Sequence, residues 1–248
     1  MCTVTLIPTP GGYRLATNRD ERRSRPRAAR PMVRGGGGVR MVWPLDPAGG
    51  GTWVSVNDLG VTLTILNLNE AGLPPAPPAG DRRSRGLVIP PLADAPDAGA
   101  ALSRLEAMDL SSHAWFRLVG IDAGGGFVAR WDRVGLTSEP LDGSPVCLAS
   151  SGLGDDLVRV RLPLFEGMVV ASGATPASQD AFHGHRWEDR PERSVRMSRR
   201  GARTVSTTVV EVDGGAVRMS YRDDDGWAPA VALERRGAAH AAGSGARG

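Results

Sequence analysis

The 248 residues carry 41% hydrophobic and 23% charged side chains, the balance of an ordinary globular chain with enough length for one large core. No apolar run is long enough to span a bilayer and the stretch at 2–7 is too short for a signal-peptide core, so the expected location is the cytoplasm. The net charge of +3 and the pI near 9.5 rest on arginine alone, since lysine is absent, which excludes a lysine Schiff base and a P-loop lysine.

Residues 2–7 alternate with β-branched side chains, Pro8-Thr9-Pro10-Gly11-Gly12 supplies a turn, and 13–20 resumes an extended pattern, which predicts a hairpin starting at Cys2. Chain termini are usually ragged and polar, so a strand at residue 2 implies a terminus held inside the fold. Arg22, Arg23, Arg25, Arg27 and Arg30, followed by Gly35 to Gly38, read as a basic loop. A second strand pair is predicted at 50–57 and 61–67 across an Asp58-Leu59-Gly60 turn, and 74–80, nearly all Pro and Ala, as a stiff connection. Helical patterns follow at 83–93, interrupted by Pro90-Pro91, and at 97–108, where Ala101, Leu102, Leu105 and Met108 share a face. A hairpin is predicted over 115–122 and 126–132, a short strand at 146–150, helices at 155–170 (broken by Pro163) and 176–188, and strands at 203–212 and 216–222. This order predicts an α+β fold with largely antiparallel sheets, one domain over 1–234 and a disordered Gly/Ala/Arg tail over 235–248.

The arginine runs at 19–34 and 193–203 raise nucleic-acid binding, but aromatics are only 5% and no RNP, KH or helix-turn-helix pattern occurs. A solvated or anion-facing arginine surface is the better reading, with no nucleic-acid partner. Two cysteines, Cys2 and Cys147, are too few for a disulfide framework, although a single bridge between them is conceivable. His113, His183, His185 and His240 lack ligand spacing, so neither a metal nor a cofactor is expected.

The sharpest chemical feature is Cys2 behind an initiator Met. Trimming of Met1 leaves one residue with a thiol, of ordinary pKa about 8.5, and an α-amine of about 7.7–8.0 that can take the thiol proton without a histidine. The bland alternative is a small apolar residue opening a strand. Thr17-Asn18-Arg19-Asp20-Glu21 ends the paired strand and returns toward Cys2. Asn18 and Asp20 project to one face and Arg19 to the other, so a site on the first face lets Asp20 hold the ammonium or orient the thiol, with Asn18 beside it. A polar strand end that caps the next loop is the competing account.

Met1-Cys2-Thr3, Asn18-Arg19-Asp20-Glu21, Trp43-Pro44-Leu45-Asp46, Gly50-Gly51-Thr52-Trp53, Leu66-Asn67, Ser84-Arg85-Gly86 and Gly201-Ala202-Arg203 with the strand at 206–209 together resemble the NRDE family of transport and Golgi organisation protein two homologues, over about residues 1 to 225. The resemblance implies a four-layer αββα sandwich of the N-terminal-nucleophile hydrolase type, similar to the choloylglycine hydrolases and penicillin V acylases, in which an N-terminal Cys attacks an amide carbonyl. Asn18 and Asp20 match the Asn and Asp of those enzymes' Arg-Asn-x-Asp element, while Thr17 stands where the Arg would be. Strand parity would send Arg19 to the wrong face unless a bulge intervenes.

By the same resemblance Asn67 is the oxyanion-hole asparagine, Ser150-Ser151 occupies the place of a second asparagine, and Arg203 matches a late arginine near the cysteine. Arg19, Ser150 and Ser151 are then substrate-binding. The implied function is an N-terminal-cysteine amidohydrolase on a linear amide. The alternative is a non-enzymatic carrier of haem or of lipid or acyl-coenzyme A in the same cleft, so the expected partner is a small-molecule amide or an amphipathic anionic ligand. Oligomeric state is left open.

Overall fold

The structure, a computed structural model, describes residues 2–35 and 38–237. The chain opens with β1 (Cys2–Thr9) and β2 (Gly12–Arg22), which turn back on each other through Gly11 in the left-handed region at φ 77°. Four more strands follow: β3 (Ala29–Arg34), β4 (Met41–Leu45), β5 (Val54–Asn57) and β6 (Thr62–Asn67). Helix α1 (Ala98–Glu106) starts at Asp97, whose side chain accepts the Ala100 N–H, and turns Ala98, Ala101 and Leu105 inward. Next come β7 (Phe116–Asp122), β8 (Gly125–Trp131), β9 (Leu136–Leu141) and β10 (Val146–Ala149). Helices α2 (Arg161–Phe165) and α3 (Pro176–Gly184) precede β11 (Ala202–Val212), β12 (Ala216–Asp223), β13 (Gly226–Trp227) and β14 (Val231–Glu234).

These strands form two antiparallel sheets. The first runs β10-β1-β2-β11-β12-β13, with β14 also on β12, and the second runs β3 to β9 in chain order. Alternation gives each strand an inner and an outer face. In β1 the inner residues Cys2, Val4 and Leu6 join Leu15, Val210 and Met219 of their own sheet, and Val54, Val56 and Leu66 of the other, in the main core. The outer residue Ile7 packs instead with Phe165, Val169, Phe182 and Val195 beneath α2 and α3. With α1 lying on β7 and β8, the order of layers is helix, sheet, sheet, helix, the α+β sandwich that the sequence implies.

The differences from the sequence reading have physical causes. Strands β3 and β9 are edges, mostly exposed and each carrying a proline, so they lack the apolar alternation that marks a half-buried strand. The pattern at 83–93 resolves into two 3-10 turns, Arg85–Leu87 and Pro90–Leu92, because Pro90 and Pro91 remove the N–H groups that a continuous helix needs. Pro163 does not break α2, since it sits in the first turn where its missing N–H is no loss. Cys2 and Cys147 are free thiols on opposite faces of the first sheet, Cys147 packing on the Phe165 cluster, so no bridge joins them. Of the expected tail, 238–248 lies outside the described residues, while Arg236 pairs with the buried Asp58 at 3.0 Å and the Arg235 N–H bonds Gly215.

Candidate active site at the amino-terminal strand

The pairing of β1 with β2 runs from Cys2 opposite Arg19 to Thr9 opposite Gly12 without a bulge. Opposed residues of an antiparallel pair project to the same face, so Cys2 shares the inner face with Arg19, while Thr3 shares the outer face with Asn18, and Asp20 follows Asn18 there. This corrects the expectation that the thiol and the Asn18–Asp20 pair share a face with Arg19 turned away. In-register pairing at the first residue puts Arg19 beside the thiol with no bulge needed. Asp20 falls opposite the position before Cys2. In a strand the backbone nitrogen lies in the plane of the sheet, so an amine on Cys2 is open to the thiol from one face and to Asp20 from the other.

On the inner face Cys2 is only 5% exposed. The Ser150 N–H donates to the Cys2 carbonyl at 2.9 Å, extending the β10 ladder by one residue. The Asn69 side-chain amide donates to Ser150 Oγ at 3.2 Å. Asp155 fixes this corner by accepting from the Asn69 N–H, the Ser151 N–H and Arg117. The Arg19 guanidinium lies 4.5 Å from the Trp53 ring centroid and 3.4 Å from Asp46, a cation held between an indole face and a carboxylate. Arg85, in the first 3-10 turn, donates to the Trp115 carbonyl. Burial brings its pKa down to about 10, with Cys2 the foremost charge opposing that fall. Burial pushes the Cys2 thiol up, Asp20 adds to the rise and Arg19 acts against it.

On the outer face Asn18 has both ends of its side-chain amide hydrogen-bonded. Its amide donates to the carbonyls of His183 and Val195 at 2.9 and 3.0 Å and its oxygen accepts from Thr207, so Asn18 pins the end of α3 to β2. Asp20, 1% exposed, accepts from Thr204 at 2.5 Å and faces Arg161 at 3.8 Å. Burial raises its pKa, and Arg161 and the Thr204 bond oppose the rise.

Two expected residues fall elsewhere. Asn67 pairs with Phe116, on the face of the second sheet that packs under α1, because Thr62 of the same strand meets Tyr13 on the inner face and alternation carries Leu66 inward instead. Arg203 pairs with Glu21 across β2 and β11 and is held by Asp224 at the rim, one third exposed. Asn69, which bonds Ser150, and Arg85, whose charge acts on Cys2, are the residues near this strand end that sequence reasoning missed. The only signals for them were the Asn two residues beyond Asn67 and the Ser84-Arg85-Gly86 motif.

A cleft of about 80 Å3 opens beside Arg19, lined also by Glu21, Arg25, Arg203, Tyr221 and Asp223. Arg25, at its rim, donates to Asp46 from Nη2 at 2.5 Å and from Nε at 3.3 Å. A second cavity of about 630 Å3, lined by Leu6, Tyr13, Ile121 and Leu141, lies at the far end of β1, away from Cys2. Among the described residues no three His, Cys, Asp or Glu side chains gather as a metal would require, and no helix is long and apolar enough to cross a membrane.

Residues 1–140 match the family model described as Transport and Golgi organisation 2. No curated protein matches the chain. Among solved structures, a mutant conjugated bile acid hydrolase from Clostridium perfringens aligns with a TM-score of 0.54 at 12% identity, over 94% of this chain and 92% of that one. The Caenorhabditis elegans orthologue of N-acylethanolamine-hydrolyzing acid amidase aligns with a TM-score of 0.57 at 11% identity, over 84% of this chain and 92% of that one. Both are N-terminal-nucleophile hydrolases, so the sandwich has that fold.

Proposed function

The chain belongs to the Transport and Golgi organisation 2 family, and from that membership together with the placement of Cys2 we propose that it is an N-terminal-cysteine amidohydrolase acting on a linear amide carbon–nitrogen bond. The observation that carries the reading is the start of β1: a buried cysteine as the first strand residue, in register with Arg19 and one position from Asp20. Removal of Met1 leaves Cys2 with its α-amine in the plane of the sheet. The amine takes the thiol proton, and the thiolate attacks the amide carbonyl from the inner face. Burial raises the thiol pKa, and Arg19 on the same face, with Arg85 through its attraction to a thiolate, works against that rise. The Asn69 amide, beside Ser150, supplies a donor for the oxyanion. The protonated amine then gives its proton to the departing amine, and water cleaves the thioester.

Cys2→Ala tests the reading. Turnover of an N-acyl amide falls to background while the variant folds and melts like the parent, because the lost side chain is small and uncharged. Undiminished turnover in that variant rules out the mechanism. The cleft beside Arg19, at about 80 Å3, is far below the roughly 300–1,000 Å3 of ordinary ligand pockets, so an amide or a carried ligand alike requires it to open. A carrier would use the cavity of about 630 Å3 at the far end of β1, and saturable haemin or acyl-coenzyme A binding that is lost when Leu141 is enlarged would favour it.

A further inference from the structure

We propose that Arg161 is a positioning residue of the amino-terminal site, holding the Asp20 carboxylate ionised and in place beside the chain terminus. The inference rests on the reading of Cys2 as an N-terminal nucleophile. Arg161 is 1% exposed and heads the fully buried side chains of the molecule by volume. Its Nη1 donates to Thr3 Oγ1 at 2.6 Å and stands 3.8 Å from Asp20 Oδ2, so one arm meets the residue after Cys2 and the residue after Arg19, the cross-strand partner of Cys2. Its Nη2 donates to the Ser194 carbonyl at 2.7 Å and its Nε to the Arg193 carbonyl at 3.0 Å, which fixes the guanidinium plane.

A guanidinium buried for stability alone is a poor choice, because apolar side chains of similar volume usually serve as well or better. Its effect on a neighbouring carboxylate is different in kind. Asp20 is as buried as Arg161, and without a cation such a carboxyl takes up a proton at neutral pH. A neutral acid cannot hold an ammonium. The groups facing Asp20 are Arg161 from α2, Thr204 from β11 and Arg199 from the segment before β11, with Arg161 the strongest charge opposing burial. Cys2, Arg19 and Glu21 lie across the sheet.

The test follows the Asp20 carboxyl by 13C NMR titration, assigned with Asp20→Asn, alongside the pH profile of Cys2 alkylation by iodoacetamide read from the amino-terminal peptide. In Arg161→Met the Asp20 midpoint rises by about one to three pH units. Cys2 alkylation gains an inflection at that same pH, absent from the Arg161→Met/Asp20→Asn double variant. Arg161→Gln keeps hydrogen-bond donors while losing the charge, and shows the same rise should the Met variant not fold. An unmoved Asp20 midpoint in Arg161→Gln overturns the proposal. So does a moved midpoint that leaves Cys2 alkylation unchanged, which would leave Arg161 a purely structural tie to residues 193–194. Neither readout uses turnover, so absence of amidase activity bears on the proposed function and not on this result.

Discussion

On the inner face of β1 and β2 a thiol and a guanidinium stand beside Val4, Leu6 and Leu15, whereas on the outer face Thr3, Thr5, Asn18 and Asp20 meet Arg161, Gln179 and His183 in a continuous hydrogen-bonded layer. The inner face leaves its reactive group little hydrated. The outer face spends its polar groups on anchoring, tying both helices and the 193–195 segment to the first two strands. On the proposed mechanism this division separates the group that reacts from the groups that hold it still. The α-amine that removal of Met1 would give Cys2 lies in the plane between them, where the two faces act together.

Three comparisons sharpen that contrast. The largest difference is expected between two asparagines. Asn69→Ala removes the amide beside Ser150 and lowers turnover by about 100- to 1,000-fold, as loss of one oxyanion donor does elsewhere. Asn67→Ala, on the face under α1, leaves turnover within a few-fold of the parent. Equal losses, or the reverse order in kcat, would undo the assignment.

The second concerns the anchoring layer alone. Burial drives the His183 pKa down to about 3, against an ordinary value of about 6.5. The unfolded chain therefore binds a proton that the folded one refuses between those values, and stability declines as pH drops through this window. The slope from this group approaches about 1.4 kcal/mol per pH unit. His183→Gln should flatten the dependence of urea unfolding between pH 4 and 6 while leaving Cys2 alkylation at pH 8 within about two-fold. An unchanged slope removes His183 from the account of acid stability.

The smallest effect belongs to the rim. Arg203→Gln breaks a partly exposed pair with Asp224 and should cost under about 1 kcal/mol, with turnover altered a few-fold at most. A loss as deep as that of Asn69→Ala would restore Arg203 to the reacting centre.

The sequence made the sheets legible where alternation was strong, at 2–7, 61–67 and 203–222, and failed at the edges β3 and β9, which lack an apolar face, and at β4, a five-residue strand carrying Pro44. Cys2, Asp20 and Arg19 could be picked out because they lie on one short hairpin. Which face each would take could not, since that depends on whether Cys2 pairs with Arg19 or with a neighbour, and a shift of one residue reverses every side chain. Asn69, Ser150 and Arg85 come together from three distant segments, and Arg161 from a fourth, so only the packed layers bring them to Cys2.

The central claim is that Cys2 is the mature terminus and a reactive thiol. Intact-mass measurement of the purified protein before and after brief treatment with iodoacetamide at pH 8 tests it most directly. The account predicts a mass lacking Met1 and a single adduct on Cys2, with Cys147, on the opposite face of the sheet against the Phe165 cluster and with no α-amine of its own to take a proton, unmodified. Retained Met1, or an adduct on Cys147 with Cys2 untouched, would contradict it.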